Sequence, residues 1–491
     1  MTQASMKTRR YRGAVGWLAG GWGTLLLLSG CATNPATGQR EISLVSESQE
    51  VAMGEETATG VRASIGLVDN AGLQTYVRNI GLGMARASER PELPWSFEVI
   101  DDPEVNAFAA PGGKIFVTRG ILAHMGSEAE LAGVLGHEIG HVTARHTARQ
   151  ITRAQLAQVG LVAGSIISSD FASVAGGIAG GLQILFLKYS RADESQSDEL
   201  GFRYMRRTNY DVREMPNVFS ALVRVSSLSG GGRLPTWQSS HPDPADRQQK
   251  AAERVQTVPA DSLRNAIVDR DEYARSIDGI LFGPNPRLGY FEQSLFLHPD
   301  LKFRFRFPDG WQTQNQPQAV VALAPGNDAI LALSIPGTDD PATALQKFSQ
   351  QQGVQVGGAQ RVTIGGNSGT TAEFRAQDQQ GAALAGRVTY LSFDGKTYEL
   401  LGYSTAARYP NYSGAFMSSM QSFDRLTDQA ALNKQPRRLR TIRLTQAMSV
   451  QEFQRRHAPS ATVEVVAAMN GVTTGATLPA GSWAKGVEGS N

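Results

Sequence analysis

The chain contains the run His137-Glu138-Ile139-Gly140-His141. Residues on an α-helix advance by about 100°, so His137 and His141 leave the same face one turn apart, about 40° from each other in projection. Two neutral imidazole nitrogens placed this way suit one Zn²⁺. Glu138 points to an adjacent face, where its carboxylate reaches a water at the metal rather than the metal. It can take that water's proton and later return it to a leaving amine, which is the chemistry of peptide-bond hydrolysis. Short runs of this form also arise by chance on solvated helices. Here the run sits in an otherwise apolar helix face, and His137, His141 and His146 cluster in a chain with seven histidines in all.

A catalytic zinc takes three protein ligands and keeps one position open. On a continuous helix His146 would lie about 180° around from His137. The glycine-containing turn that brings a third histidine back in metzincins is also absent. His146 is therefore expected to be structural. Carboxylates follow at Asp193, Glu194, Asp198 and Glu199. Glu194 and Asp198 are i,i+4 neighbours, which suits one ligand plus one acceptor for a histidine N–H. Spacing does not choose among the four, and a solvated acidic helix face gives the same pattern.

The segment Gly136 to His146, taken with Ser190-Arg191-Ala192-Asp193-Glu194-Ser195-Gln196-Ser197-Asp198, resembles the HtpX/CAAX-prenyl-protease-like family of gluzincin zinc metallopeptidases. Within it, the similarity is to the periplasmic BepA/LoiP-like lipoprotein branch. The resemblance implies His137, His141 and Glu194 as ligands of one Zn²⁺ per chain, Asp198 as the acid behind them, and Glu138 as the catalytic base. Asn106-Ala107-Phe108-Ala109-Ala110-Pro111-Gly112-Gly113 is similar to the family's segment along the substrate cleft. Asn106, Ala107 and Phe108 are then substrate-binding, with an extended substrate adding a strand there; a plain turn before a strand is the simpler reading. Ser240-His241-Pro242 with Arg247 is similar to an element whose histidine reaches the metal site. His241 would either stabilise the transition state or latch the open position. The resemblance runs from about Glu41 to Arg254 and departs at Gln196-Ser197, where the family carries Glu-Ala. Neither residue is an expected ligand.

These groups need elements to hold them. Ser127 with Glu130 is a capping-box signature, and Leu131, Val134 and Leu135 supply an apolar face for a helix from Ser127 to about Ile151. Helical periodicity covers Ser46 to Ala87, and Arg191 to Arg206 continues it later in the chain. Trp95 to Ile100 and Lys114 to Thr118 read as strands. Leu156 to Leu187 is apolar but rich in Gly, Ala and Ser; it suits two packed helices over the active site, with a membrane hairpin as the alternative. Ser229 to Pro235 is a Gly-rich loop. From Leu301 the texture changes: Phe303-Arg304-Phe305-Arg306-Phe307 alternates as a half-buried strand should. Val320 to Leu323, Val362 to Ile364 and Val388 to Leu391 are further strand-like runs. Arg440 to Val487 is similar to a LysM module, a small peptidoglycan-binding unit, with Val450 to His457 and Val463 to Asn470 as its helices; a capping subdomain is the competing reading. The expected fold class is α+β. A mainly helical gluzincin zinc-protease domain (46–280) precedes a small α+β domain of unknown role (290–428) and a LysM-like C-terminal module (437–491).

At 491 residues, 41% hydrophobic and 19% charged, the chain is an ordinary globular protein of two to four domains. Its net charge of +2 gives no reason to expect nucleic acid. The single cysteine, Cys31, excludes an internal disulfide. It follows a basic stretch (Lys7, Arg9, Arg10, Arg12) and an apolar run from Trp17 to Ser29. That run is too short for a comfortable membrane span. Leu28-Ser29-Gly30-Cys31 matches a bacterial lipobox. The expectation is a lipoprotein signal peptide (1–30), lipidation of Cys31 and a lipidated tether (31–45). Ala32 stands where an Asp would signal inner-membrane retention, which favours the periplasmic face of the outer membrane. The function expected is a lipid-anchored metalloendopeptidase that acts on misfolded periplasmic or outer-membrane proteins in envelope quality control. Its partners would be those protein substrates, the membrane and peptidoglycan. The alternative is a zinc-stabilised envelope chaperone or scaffold with latent proteolysis, and only the protease requires Glu138.

Overall fold

The computed structural model describes residues 31–158, 188–228, 241, 244–377 and 381–489. The expected signal peptide, all but the first three residues of the helical pair expected from Leu156 to Leu187, and the Gly-rich loop at 229–235 lie outside them.

The described chain opens with a ribbon that pairs β1 (Cys31–Thr33) antiparallel to β2 (Arg40–Ile42). Ser46 and Gln49 then form a reciprocal capping box for α1 (Glu47–Ser64). The helical stretch expected up to Ala87 is broken: Gly66 adopts a φ of 84°, and the Asn70 side chain caps a second helix, α2 (Ala71–Arg86). A three-stranded sheet follows, with β3 (Ser96–Ile100), β4 (Ala107–Ala110) and β5 (Lys114–Thr118) in the order β3-β5-β4. β3 runs parallel to β5 and β4 antiparallel to it, which leaves β4 at an edge.

After the short α3 (Arg119–His124), Ser127 caps α4 (Glu128–Thr143) by accepting from Glu130 N. Glu130 does not return the bond to Ser127; its Oε2 accepts from Gly126 N at 2.8 Å. Every residue of α4 from Ala129 to Thr143 is buried. Leu131, Leu135 and Ile139 are fully enclosed, each contributing about 1.5–3 kcal/mol on removal from water. The helix expected to run to Ile151 stops early. Arg145 adopts a φ of 57°, held by an ion pair with Glu50 and a 2.7 Å bond to Val45 O, and α5 (His146–Gln158) starts in a new direction. Ser190 and Asp193 box the start of α6 (Arg191–Arg207). α7 (Met215–Leu228), α8 (Pro244–Gln256) and α9 (Arg270–Ile277) complete the helical part.

α4 and α6 cross almost backbone to backbone. A Cβ added at Gly201 would lie 2.8 Å from His137 N, and one at Gly140 would lie 3.0 Å from Ser197 Cα. Only residues without a side chain allow that approach, and it brings the carboxylates of α6 to the imidazoles of α4.

Residues from Tyr290 to Arg425 have cores of their own. An eight-stranded antiparallel sheet runs, in space, through 355–356, 367–377, 383–393, 396–405, 329–337, 319–323 and 312–315, with 360–364 also on 367–377. Helices Pro341–Ser349 and Tyr409–Gln421 pack on it. Phe303 and Phe305 are buried while Arg304 and Arg306 are exposed, as their alternation requires. In the last segment Arg438–Arg443 pairs antiparallel with Trp483–Glu488 around helices Val450–His457 and Val463–Met469. Its Leu439, Phe453, Val466 and Val487 belong to the same continuous core as Leu135, Met205 and Ile277. The C-terminal segment is therefore built into the helical domain.

Candidate metal centre

His137 and His141 leave one face of α4 with their Nε2 atoms 3.0 Å apart. Glu194, on the first turn of α6, brings Oε1 to 3.5 Å from His141 Nε2 and Oε2 to 3.5 Å from His137 Nε2. His241 adds Nδ1 at 3.3 Å from His137 Nε2 and 2.9 Å from Glu194 Oε1. These four residues, all buried, each offer one ligand atom within 4.8 Å of the others. Four donors around a zinc at about 2.0–2.1 Å stand about 3.3 Å from one another, so the observed spacing fits one tetrahedral ion.

The surrounding groups fix which nitrogens face inward. His137 Nδ1 donates to Asp198 Oδ1 at 2.9 Å, leaving Nε2 as the lone pair. Gln196 Oε1 can only accept, so His146 Nε2 donates to it at 2.8 Å and His146 Nδ1 becomes an acceptor. His141 Nδ1 then donates to His146 Nδ1 at 2.8 Å, and His141 Nε2 too is free for the centre. Tyr189 stacks on the His141 ring at 3.8 Å between centroids, its hydroxyl 3.0 Å from Thr147 Oγ1. Arg247 on α8 bonds Asp198 Oδ1 at 2.6 Å and lies 2.7 Å from Glu194 Oε2.

The electrostatics match these roles. Burial lowers His141 and His146, which keeps both rings neutral. Burial would raise Glu194, but His241 and Arg247 hold it well below the usual carboxylate range. Asp198 is likewise held low against its burial, chiefly by Arg247. Burial would lower His241, yet the facing Glu194 and Glu138 carboxylates raise it. Glu138 is raised by burial. Its Oε2 is buried without a hydrogen-bond partner, and its Oε1 lies 3.9 Å from His241 Nε2. An orphaned carboxylate oxygen beside four converging donors is what a water-activating site requires.

Sequence reasoning expected His146 to be structural, from its place on an unbroken helix, and it is not among the four donors. The turn at Arg145 instead places it behind His141, and Gln196, at the family's point of departure, sets its tautomer. The pairing of a left-handed Arg145 with a displaced His146 could not be read from spacing. Tyr189 carried no signal at all. Asn106 immediately precedes the edge strand that holds Ala107 and Phe108, and β4 packs against α4. Asn106 is buried, and its Oδ1 has no partner. Cys31 begins β1.

Residues 72–255 match the description "Peptidase family M48". The chain carries an M48 peptidase domain. That domain holds α2 to α8 and so contains the whole four-donor centre. Among curated relatives, the beta-barrel assembly-enhancing protease of Escherichia coli (strain K12) is 29% identical over 250 residues, 49% of this chain and 50% of that protein. The mitochondrial metalloendopeptidase OMA1 of Arabidopsis thaliana is 32% identical over 214 residues, 43% of this chain and 42% of that protein. The chain thus spans about half the length of the curated relatives it matches. Among solved structures, cyanobacterial PsbP from Synechocystis sp. PCC 6803 aligns with 28% of this chain and 94% of its own, at 16% identity and a TM-score of 0.23. The M48 domain is a zinc-peptidase domain, and its buried His137, His141, Glu194 and His241 can hold one zinc ion.

Proposed function

We propose that the chain is a zinc metalloendopeptidase that hydrolyses peptide bonds in misfolded periplasmic or outer-membrane proteins, anchored by a lipid on Cys31 at the periplasmic face of the outer membrane. The observation that carries the catalytic part is the unpartnered, buried Glu138 Oε2 beside the four converging donors. His137, His141 and Glu194 would hold the zinc, which when bound supplies the Lewis acidity that makes water nucleophilic near neutral pH and polarises a carbonyl. Glu138 accepts the water's proton at Oε2 and passes it to the leaving amine. Asp198 and the His146–Gln196 pair hold the two imidazoles in the tautomers the centre needs. The edge of β4 supports backbone recognition of an extended segment, with Asn106 Oδ1 available as an acceptor. A narrow apolar pocket of about 20 Å³ between Val134, Val218, Phe219 and Leu222 adjoins Glu138 and suits a small apolar side chain.

His241 completes the donor set in this resting arrangement, which supports a latch that must swing away before substrate enters. The relatives' names, a beta-barrel assembly-enhancing protease among them, support an envelope role. The described residues contain no helix long and apolar enough to cross a membrane. The deciding test is cleavage of a denatured outer-membrane β-barrel protein by the mature chain, wild type against Glu138→Gln at equal zinc content. Cleavage by wild type alone supports the peptidase; cleavage by both refutes Glu138 as base. Cleavage by neither, with a His241→Ala chain also silent, leaves a zinc-stabilised scaffold.

A further inference from the structure

A cavity of about 400 Å³ lies on the far flank of the helical domain, where the C-terminal segment closes against it. That volume is within the range of small-molecule sites. Its floor holds three polar side chains at least nine-tenths buried: His124, Glu130 and Lys485. Exposed Gly471, Pro479 and Gly481 form a rim that opens it to solvent. Arg224 reaches in from α7 toward Gly471, where a Cβ would come within 3.5 Å of its Nη2.

The polar groups of this cavity are under-used. Lys485 Nζ donates to Met125 O at 2.6 Å and forms no ion pair within 4 Å among the described residues. Arg224 Nε and His124 Nδ1 are buried without a hydrogen-bond partner. At the lip, by contrast, Arg270 is taken up by Glu214, and Asp271 by Arg443 and the Trp483 indole N–H. Two basic side chains, Lys485 on the floor and Arg224 beside it, thus face one carboxylate, Glu130, one of whose oxygens is committed to Gly126 N. Burial lowers both Lys485 and Arg224 and raises Glu130, as expected where charges lack sufficient partners.

We propose that this cavity is a binding site for a small ligand carrying a single carboxylate, received between Lys485 and Arg224 with His124 lining its base. A carboxylate there gives the unpartnered Arg224 Nε and the Lys485 ammonium an acceptor, and the remaining volume, walled by Met125, Tyr273 and Leu478, takes a short apolar body. The site is independent of the metal centre, and the inference does not rest on peptidase activity.

The test is ligand-observed NMR and calorimetry on the zinc-loaded mature chain, with N-acetylalanine and its C-terminal amide as the paired probes. A charge-assisted pair of contacts should make the acid bind at least about tenfold tighter than the amide. Arg224→Gln, at a half-buried position, should remove most of that preference, and Lys485→Met should remove it entirely. Equal binding of acid and amide, no saturable binding in the millimolar range, or undiminished acid binding by Arg224→Gln would each overturn the proposal. The last result would place the acid at the metal centre instead.

Discussion

Replacing Gly201 with alanine sets two known effects of opposite sign against each other. Alanine is the better helix former by about 0.5–1 kcal/mol, so on helix propensity alone the variant should be more stable. The new Cβ, however, would stand 2.8 Å from His137 N and 2.9 Å from Gly136 C. Both neighbours are backbone, so no side chain can rotate away. Restoring ordinary contact requires α6 to move from α4 by about 0.6 Å, and overpacking of that kind costs about 1–3 kcal/mol. The net expectation is a loss of up to about 2.5 kcal/mol, or a Tm lower by up to about 10 °C for a domain of this size. The same shift moves Glu194 relative to His137 by more than the roughly 0.2 Å that metal distances tolerate. Zinc affinity, measured by competition with a chromophoric chelator, should fall at least about tenfold. Gly83 in α2 is the control: a Cβ there meets nothing within 4 Å, so Gly83→Ala should be neutral or stabilising. A Gly201→Ala chain as stable as wild type with unchanged zinc affinity would refute the close-crossing argument.

Glu138→Gln should retain zinc and lose about 10²–10⁴ in cleavage rate, because the proton acceptor goes while the ligands stay; retained cleavage in a peptide assay would remove it as the base. Cys31→Ala should move the protein from the membrane fraction to the soluble periplasm, and unchanged fractionation would end the anchor reading. His298, lowered to about 4 chiefly by burial, is neutral in the folded state. The unfolded chain takes up its proton near pH 6.5, so stability is full above that pH and falls as pH drops toward 4, by at most about 3 kcal/mol. Denaturant titrations of wild type and His298→Asn at pH 7 and 4.5 should show a smaller acid loss in the variant; equal losses would exclude His298 as the source. Deletion of 437–491 should aggregate or unfold the helical domain on heating scans, and an unchanged Tm would contradict a shared core.

The site was legible where chemistry depends on local spacing. His137, Glu138 and His141 follow from helical geometry, and Ser127 caps α4 where its spacing places it, although Glu130 bonds Gly126 N and does not close the box. The place of Glu194 in the four-donor group was not legible that way, since Asp193, Glu194, Asp198 and Glu199 are equivalent in a sequence pattern. What distinguishes Glu194 is the distance between two helices, set by Gly136, Gly140 and Gly201, glycines that read individually as mere weak points in a helix. The way His146 supports the centre was hidden for a related reason. Periodicity assumes the helix continues, whereas the left-handed Arg145 is stabilised by Glu50, far away in the chain, and no local signal reports such a partner.

The C-terminal segment shows the same limit on a larger scale. Its helices Val450–His457 and Val463–Met469 lie where the LysM resemblance placed them, the second one residue shorter than expected. Pattern alone treats such a unit as separable, because nothing in the spacing of Leu439 or Phe453 says which core they enter. The structure puts them into the core behind α4, and Lys485 Nζ and Thr441 Oγ1 bond carbonyls of Met125 and Ala274. Removing the segment would therefore expose the apolar backing of the metal-bearing helix. Loss of peptidoglycan binding in such a truncation would say nothing about a LysM-like surface. Substitutions on its exposed face, which leave the shared core intact, are the changes that separate wall binding from folding.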